Sequence, residues 1–350
     1  MNTVSKNSEL LYLYDAKQCN PNGDPDEENK PRMDYETGRN LVSDVRLKRY
    51  LRDYWLELGE AKWKTLGYSE KPDVWVRKLE DENGVRQTVS AKQRIDGLTE
   101  AFKEFSKEFR AGSSKEAARK PEFRKWLLER LVDVRLFGAT IPIGEGEGER
   151  GGGSLTLTGP VQFSWGYSLN RAEILPSSTI SSQFAGREQE EKGQYGTFGK
   201  DWRIKYALLA FYGTVSAWRA KHTQLSEKDL KLLDHSLVEA LPLLATTRSK
   251  LGQTPRLYLR VEYKDDQTFL GDLREWIGLE RAEGLESIKD VQLNFTGLIE
   301  RLEKNQAKIE KVIFWAHPDF SSGQDLRQSL QNSLQESLQN QKLTLEDLRL

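Results

Sequence analysis

The chain alternates short apolar stretches with long polar ones. ELLYLYDAK (9–17) is apolar and aromatic with partial alternation, which predicts a strand. CNPNGDPDEENKPRMD (19–34) is dense in Pro, Asn, Gly and Asp and predicts a turn-rich loop. Beyond it, Leu47, Leu51, Tyr54 and Leu58 recur at helical spacing and predict one buried stripe. Ser43 stands where a cap is needed, and Asp44 falls in the first turn, where a carboxylate suits the positive helix end. LVDVRLFGAT (131–140) is again apolar. LTLTGPVQFSWGYSL (155–169) and IKYALLAFYGTVSAW (204–218) have strand composition, and RLYLRVEYK (256–264) alternates as a strand does. SEKDLKLLDHSLVEALPLLATT (226–247) predicts an amphipathic helix capped by Ser226. A helix near 296–308, a strand VIFWAH (312–317) and a Leu/Gln-rich segment with helical spacing from 324 follow.

Two long polar spans interrupt this pattern. Residues 59–130 are charged, with apolar-periodic pieces near 95–109 and 121–132, and residues 176–201 are polar and glycine-bearing. The pattern predicts an α+β sheet core carrying two large excursions.

Composition narrows the class. At 350 residues the chain can bury a substantial core; 37% of it is apolar and 31% charged, so it is polar but not disordered. No apolar run reaches membrane-spanning length and no signal-peptide pattern opens the chain, so no membrane association and a cytoplasmic location are expected. One cysteine, Cys19, leaves no disulfide framework, and the three histidines are widely spaced. Basic and acidic residues nearly balance, 53 against 54. Residues 266–350 are net acidic and the remainder weakly basic, which permits a local basic groove but not a strongly basic nucleic-acid binder.

Enzyme signatures fail one by one. Gly146, Gly148 and Gly151 match G-x-G-x-x-G, but Glu145, Glu147 and Glu149 would repel a pyrophosphate. Gly199–Lys200–Asp201 lacks the rest of a P-loop. NPNGDPDEE has Pro25 and Pro31 where a calcium loop needs Gly and Glu. Asp24 and Asp26 remain as a carboxylate pair able to hold a divalent ion with a third ligand, or as solvated turn acids. No cofactor or metal is expected.

The strongest local signal is a charge cluster. Arg46, Lys48, Arg49 and Arg52 fall within seven residues that contain no acid. Flanking the apolar stripe, they are expected on the flanks and outer face of the helix. One reading pairs them with Asp44, Asp53 and Glu57 as a solvated face. The other uses their place at a helix start, just after Lys30 and Arg32, to hold phosphates. Their span, roughly 9 Å at 1.5 Å per residue, suits successive phosphates of a nucleic-acid strand.

YDAKQCNPNGDPD followed by PRMD and NLVSDVRLKRYLRDY resembles the start of the CRISPR-associated Cascade backbone family, type I-B branch (Cas-seven family, Csh/DevR-like). DVRLFGA (133–139), GPVQFSWGYSLNR (159–171), TTRSKLGQTPRLYLRVEY (246–263) and HPDF (317–320) carry the same resemblance, which covers most of residues 9–263. It implies an RNA-recognition-motif-like (ferredoxin-like) palm at 1–58, 131–175 and 202–265. It also implies fingers at 59–130, a thumb at 176–201, and a C-terminal elaboration at 266–350 packing on the palm. The implied function is a non-catalytic scaffold that polymerises along a CRISPR RNA, holds its phosphates and presents its bases to target DNA. Implied partners are further copies, the guide 5′-end cap, large and small subunits, a processing endoribonuclease and a recruited helicase-nuclease. The implied RNA contacts are Arg32, Ser43, Arg46, Lys48, Arg49, Arg52, Arg171, Arg248, Ser249 and Lys250. On the thumb they are Gln183, Phe184, Arg187 and Phe198, the two phenylalanines serving as base wedges or as packing against the palm. The competing class is a metal-dependent ribonuclease of the type III backbone kind using Asp24 or Asp26.

Overall fold

A computed structural model describes residues 3–80, 83–106, 111, 116–117, 120–142, 154–176, 179–182, 197–336 and 344–349. Its centre is the strand Ser8–Lys17, buried on both faces from Ser8 to Ala16. That burial explains why its sequence is apolar almost throughout rather than strictly alternating. It pairs antiparallel with Tyr206–Val215 on one side and Gln253–Tyr263 on the other. The nine-stranded sheet runs Thr344–Asp347, Ile309–Ala316, Gln253–Tyr263, Ser8–Lys17, Tyr206–Val215, Gly166–Ser168, Arg39–Val42, Met33–Asp34, with Val161–Phe163 also on Tyr206–Val215.

Alternation along the first strand separates two cores. Leu10, Tyr12, Tyr14 and Ala16 face the helices Asp44–Glu57 and Glu227–Leu243. Leu11 and Leu13 face the opposite side, which is covered by residues from Leu270 to Leu330, including the helices Thr296–Lys304 and Ser321–Glu336. A third, separate core holds Trp75, Ile95, Leu98, Phe102, Phe123, Trp126 and Leu127 and extends to Ile141 and Leu155. Trp63, Leu66, Tyr68 and Val74 lie within the span 59–130 but pack into the first core.

Several local expectations are refined. The apolar stretch 204–218 is the strand Tyr206–Val215, after which Ser216 caps the helix Ala217–Thr223 through its side chain. The 155–169 stretch is three short strands, Ser154–Thr158, Val161–Phe163 and Gly166–Ser168. Ser226 caps the helix Glu227–Leu243 with a reciprocal Asp229 contact, a capping box. The turn-rich loop contains a small hairpin, Gly23–Asp24 against Lys30–Pro31.

Candidate nucleic-acid interface

The basic helix starts where three segments meet. Ser43 is its cap, with extended backbone and a hydroxyl that accepts from Arg46 N at 3.3 Å. Asn22 of the turn-rich loop accepts from Ser43 N at 2.9 Å and from its hydroxyl at 3.0 Å. The loop is therefore tied to the helix start, and the Ser43 hydroxyl is used as both donor and acceptor.

The four cations divide. Arg52 and Lys48 are each only 9% exposed, so they are not on the outer face. Arg52 Nε lies 2.8 Å from Asp133 Oδ2, a fully buried carboxylate that also accepts from Trp75 N at 2.7 Å. Lys48 pairs with Asp44 at 3.0 Å and donates to Gln162 at 3.2 Å. The missing counter-charge for Arg52 thus comes from 81 residues along the chain. Arg49 is more open and pairs with Asp53 at 2.5 Å, as the solvated-face reading has it. Arg46 Nε donates to Pro21 O and to Tyr50 Oη, each at 3.1 Å, and its guanidinium lies over the Tyr50 ring at 4.5 Å.

Tyr50 joins this helix to a distant loop. Its hydroxyl lies 3.2 and 3.0 Å from the Gln253 amide atoms, 203 residues away. Burial holds the Tyr50 phenol above its ordinary range, so it stays protonated. Gln253 Nε2 donates to Ser249 O at 2.6 Å, and Lys250 Nζ sits 3.7 Å from Asp53 and 5.8 Å from the Tyr50 ring centre. Gly252 makes this approach possible. Its φ is +97°, and a Cβ there would stand 2.3 Å from Lys17 O.

The root of the polar 176–201 span closes the ring of segments. Thr179–Ser182 and Thr197–Lys200 form a two-stranded hairpin, Ser181 opposite Phe198. Lys200 pairs with Glu28 of the turn-rich loop, and Asp201 holds Arg248 at 3.4 Å and Arg203 at 3.6 Å. Lys30 and Lys200 approach the Trp202 ring at 5.0 and 5.9 Å. The structure thus brings Ser43, Arg46, Arg49, Arg248, Ser249 and Lys250 into one connected region. It adds Lys30, Lys200, Trp202 and Arg203, which the site reading omitted, and Tyr50 and Gln253 as connectors. Lys30 was legible as the cation preceding Arg32; the others carry no local signal.

The remaining candidates lie apart or outside. Arg32 pairs with Asp24 at 2.9 Å and faces Trp165. Arg171 packs its stem on Gly38 and pairs with Glu283 at 3.3 Å. Gln183, Phe184 and Arg187 lie outside the described residues. Asp24 is occupied by Arg32 and by Asp26 N at 3.2 Å, the tie of a capped turn. No cluster of three or more metal-ligating side chains occurs among the described residues. No helix among them is long and apolar enough to cross a membrane.

Comparisons with known proteins agree with the resemblance read from sequence. Residues 6–296 match the family model for CRISPR-associated protein Cas7. A curated relative from Haloferax volcanii, named CRISPR-associated protein Cas7, is 35% identical over 322 residues, covering 89% of this chain and 86% of its own length. Two solved chains also match. One, from a "CRISPR RNA-guided surveillance complex, pre-nicking", has a TM-score of 0.47 at 15% identity, covering 91% of this chain and 95% of that one. The other, from a "CRISPR RNA-guided surveillance complex", has a TM-score of 0.43 at 12% identity, covering 91% and 92%. The extent of the family match and the identity to the curated relative establish that the chain belongs to the CRISPR-associated protein Cas7 family.

Proposed function

We propose that this chain is the backbone subunit of a type I-B RNA-guided CRISPR effector, a non-catalytic scaffold that grips guide RNA by its phosphates. The observation that carries the reading is the convergence around Tyr50. Arg46 and Arg49 of the capped helix, Lys250 and Arg248 of the late loop, and Lys200 at the hairpin root line one region drawn from three segments. Cations so placed suit a strand held along its backbone, whose sequence is read by pairing rather than by the protein.

Strand order supports an RNA-recognition-motif-like palm. Gln253–Tyr263, Ser8–Lys17, Tyr206–Val215 and Gly166–Ser168 lie side by side, and the helices Asp44–Glu57 and Glu227–Leu243 share one face. The other face is buried beneath residues 270–330, so RNA in this reading lies along the loops and not across the sheet. The separate core around Phe102 and Trp126 corresponds to fingers, and the paired strands Thr179–Ser182 and Thr197–Lys200 to part of a thumb. Further copies, the other effector subunits and target DNA are the partners this role entails. Arg46, Arg49, Arg248 and Lys250 are the phosphate contacts we retain; Arg52 is assigned to the core.

The test is purification from cells carrying the neighbouring loci, phenol extraction and sequencing of bound RNA. Uniform short RNAs sharing a repeat-derived end support the reading; protein free of RNA in an assembled complex refutes it. Replacing Arg46 and Arg49 together by Ala should weaken binding regardless of RNA sequence and flatten its salt dependence. An unchanged salt slope would return both residues to a solvated face.

A further inference from the structure

The strand Thr344–Asp347 differs from the rest of the sheet. It pairs parallel with the edge strand Ile309–Ala316, Lys311 opposite Thr344 and Phe314 opposite Asp347, while the other pairings of the sheet are antiparallel. Only four residues pair, and Leu348 N adds one bond to Phe314 O at 2.9 Å. Thr344, Glu346 and Asp347 are exposed, and Leu345 and Leu348 are half-buried.

Packing around it is thin on both sides. A cavity of about 730 Å³ opens between this strand and the helix Glu227–Leu243. A second, of about 500 Å³, opens toward Gln324 and Arg327 of the helix Ser321–Glu336. These helices lie on opposite faces of the sheet. Beyond the short ladder and the two half-buried leucines, the strand is fastened by charge at the surface. Lys311 meets Glu346 at 3.2 Å, and Arg327 meets Asp347 at 2.9 Å. Exposed pairs of this kind are weak and screened by salt. Beneath lies an edge containing Val312, Ile313 and Phe314, all buried. Uncovered, such an edge is a template for another strand.

We propose that Thr344–Leu348 is an exchangeable strand, and that the edge Ile309–Ala316 is a docking surface for the same segment of a second copy. The edge selects its occupant by charge. Lys311 and Arg327 receive two adjacent carboxylates, while the flanking leucines pack on opposite faces of the sheet, Leu345 against one core and Leu348 against the other. TLEDL supplies that chemistry, and every copy carries it. Contacts made within one copy and between two are then the same, so effective concentration sets the balance. Dilute copies close their own sheets; copies held side by side can close each other's, by strand addition. This proposal does not depend on the guide-RNA reading.

The test uses two full-length chains with complementary charge reversals, Lys311→Glu in one and Glu346→Lys in the other. Each alone repels its own strand, whereas exchange in a mixture restores both pairings. Light scattering should give single copies for each variant and at least a doubled mass for the mixture; a mixture that stays at single-copy mass overturns the proposal. A covalent trap covers the case in which the reversals disturb folding. Lys311→Cys in one tagged copy and Thr344→Cys in another place the two thiols on Cα partners only in trans, and Cys19 is buried in both. Under mild oxidation, accumulation of the mixed-tag disulfide supports exchange, and its absence overturns it.

Discussion

Arg52→Ala separates the two meanings of the basic cluster. Arg52 Nε binds Asp133 Oδ2 at 2.8 Å, and Asp133 is fully buried. The carboxylate keeps two amide donors, Trp75 N at 2.7 Å and Val76 N at 3.3 Å, but loses the cation it pairs with. Removing one partner of a buried pair costs about 3–5 kcal/mol, because the charge left behind is uncompensated. The lost contact with the Phe137 ring, 5.4 Å from the guanidinium, adds about 0.5–2 kcal/mol. Urea unfolding should show a lower midpoint of that size with little change in slope. Replacing both partners, Arg52→Met with Asp133→Leu, should recover much of the loss, since no charge remains buried. RNA affinity of the folded fraction should keep its salt slope, unlike the Arg46 and Arg49 double substitution. A stability loss under about 1 kcal/mol would refute the buried-pair argument. A flattened salt slope would mean that Arg52 reaches phosphate after all.

Gly252→Ala should cost about 1–3 kcal/mol through its positive φ and the clash with Lys17 O, and should weaken RNA binding by displacing Lys250, measured by unfolding and by filter binding. Burial holds the His235 and His317 imidazoles below the ordinary histidine range. The unfolded chain then binds these protons more readily, so stability is present above about pH 6.5 and falls as pH drops below it; melting scans should show this, and His235→Gln should reduce the slope. Asp24→Ala frees Arg32 and uncaps a turn, and no divalent-dependent cleavage of guide-complementary RNA should exist for it to abolish. Cleavage by the wild-type chain that vanishes in this variant would reinstate the ribonuclease reading.

Much of the scaffold was legible along the chain. The spacing of Leu47, Leu51 and Tyr54 gave the buried face of the first helix, and Ser43 and Ser226 marked helix starts because a cap needs only neighbours a few residues away. The helix at 226–247 was likewise readable, since periodicity reports which face turns inward, and the strand at 9–17 showed in its apolar, aromatic composition. Motif resemblance then reached the family, because its pieces keep order across most of the chain.

What lies across from a face was not legible. Arg52 and Lys48 looked exposed beside an apolar stripe, yet a carboxylate 81 residues away and a glutamine 114 residues away draw them inward. Periodicity carries no information on counter-charges brought by other segments. Nothing local marks Tyr50 and Gln253 as partners, or Asp201 as the anchor of Arg248. Those contacts exist because antiparallel pairing of the first strand with Gln253–Tyr263 brings the late loop to the helix start. The parallel placement of Thr344–Asp347 has the same origin: a four-residue strand is too short to declare its partner, and only the open edge of a finished sheet decides it.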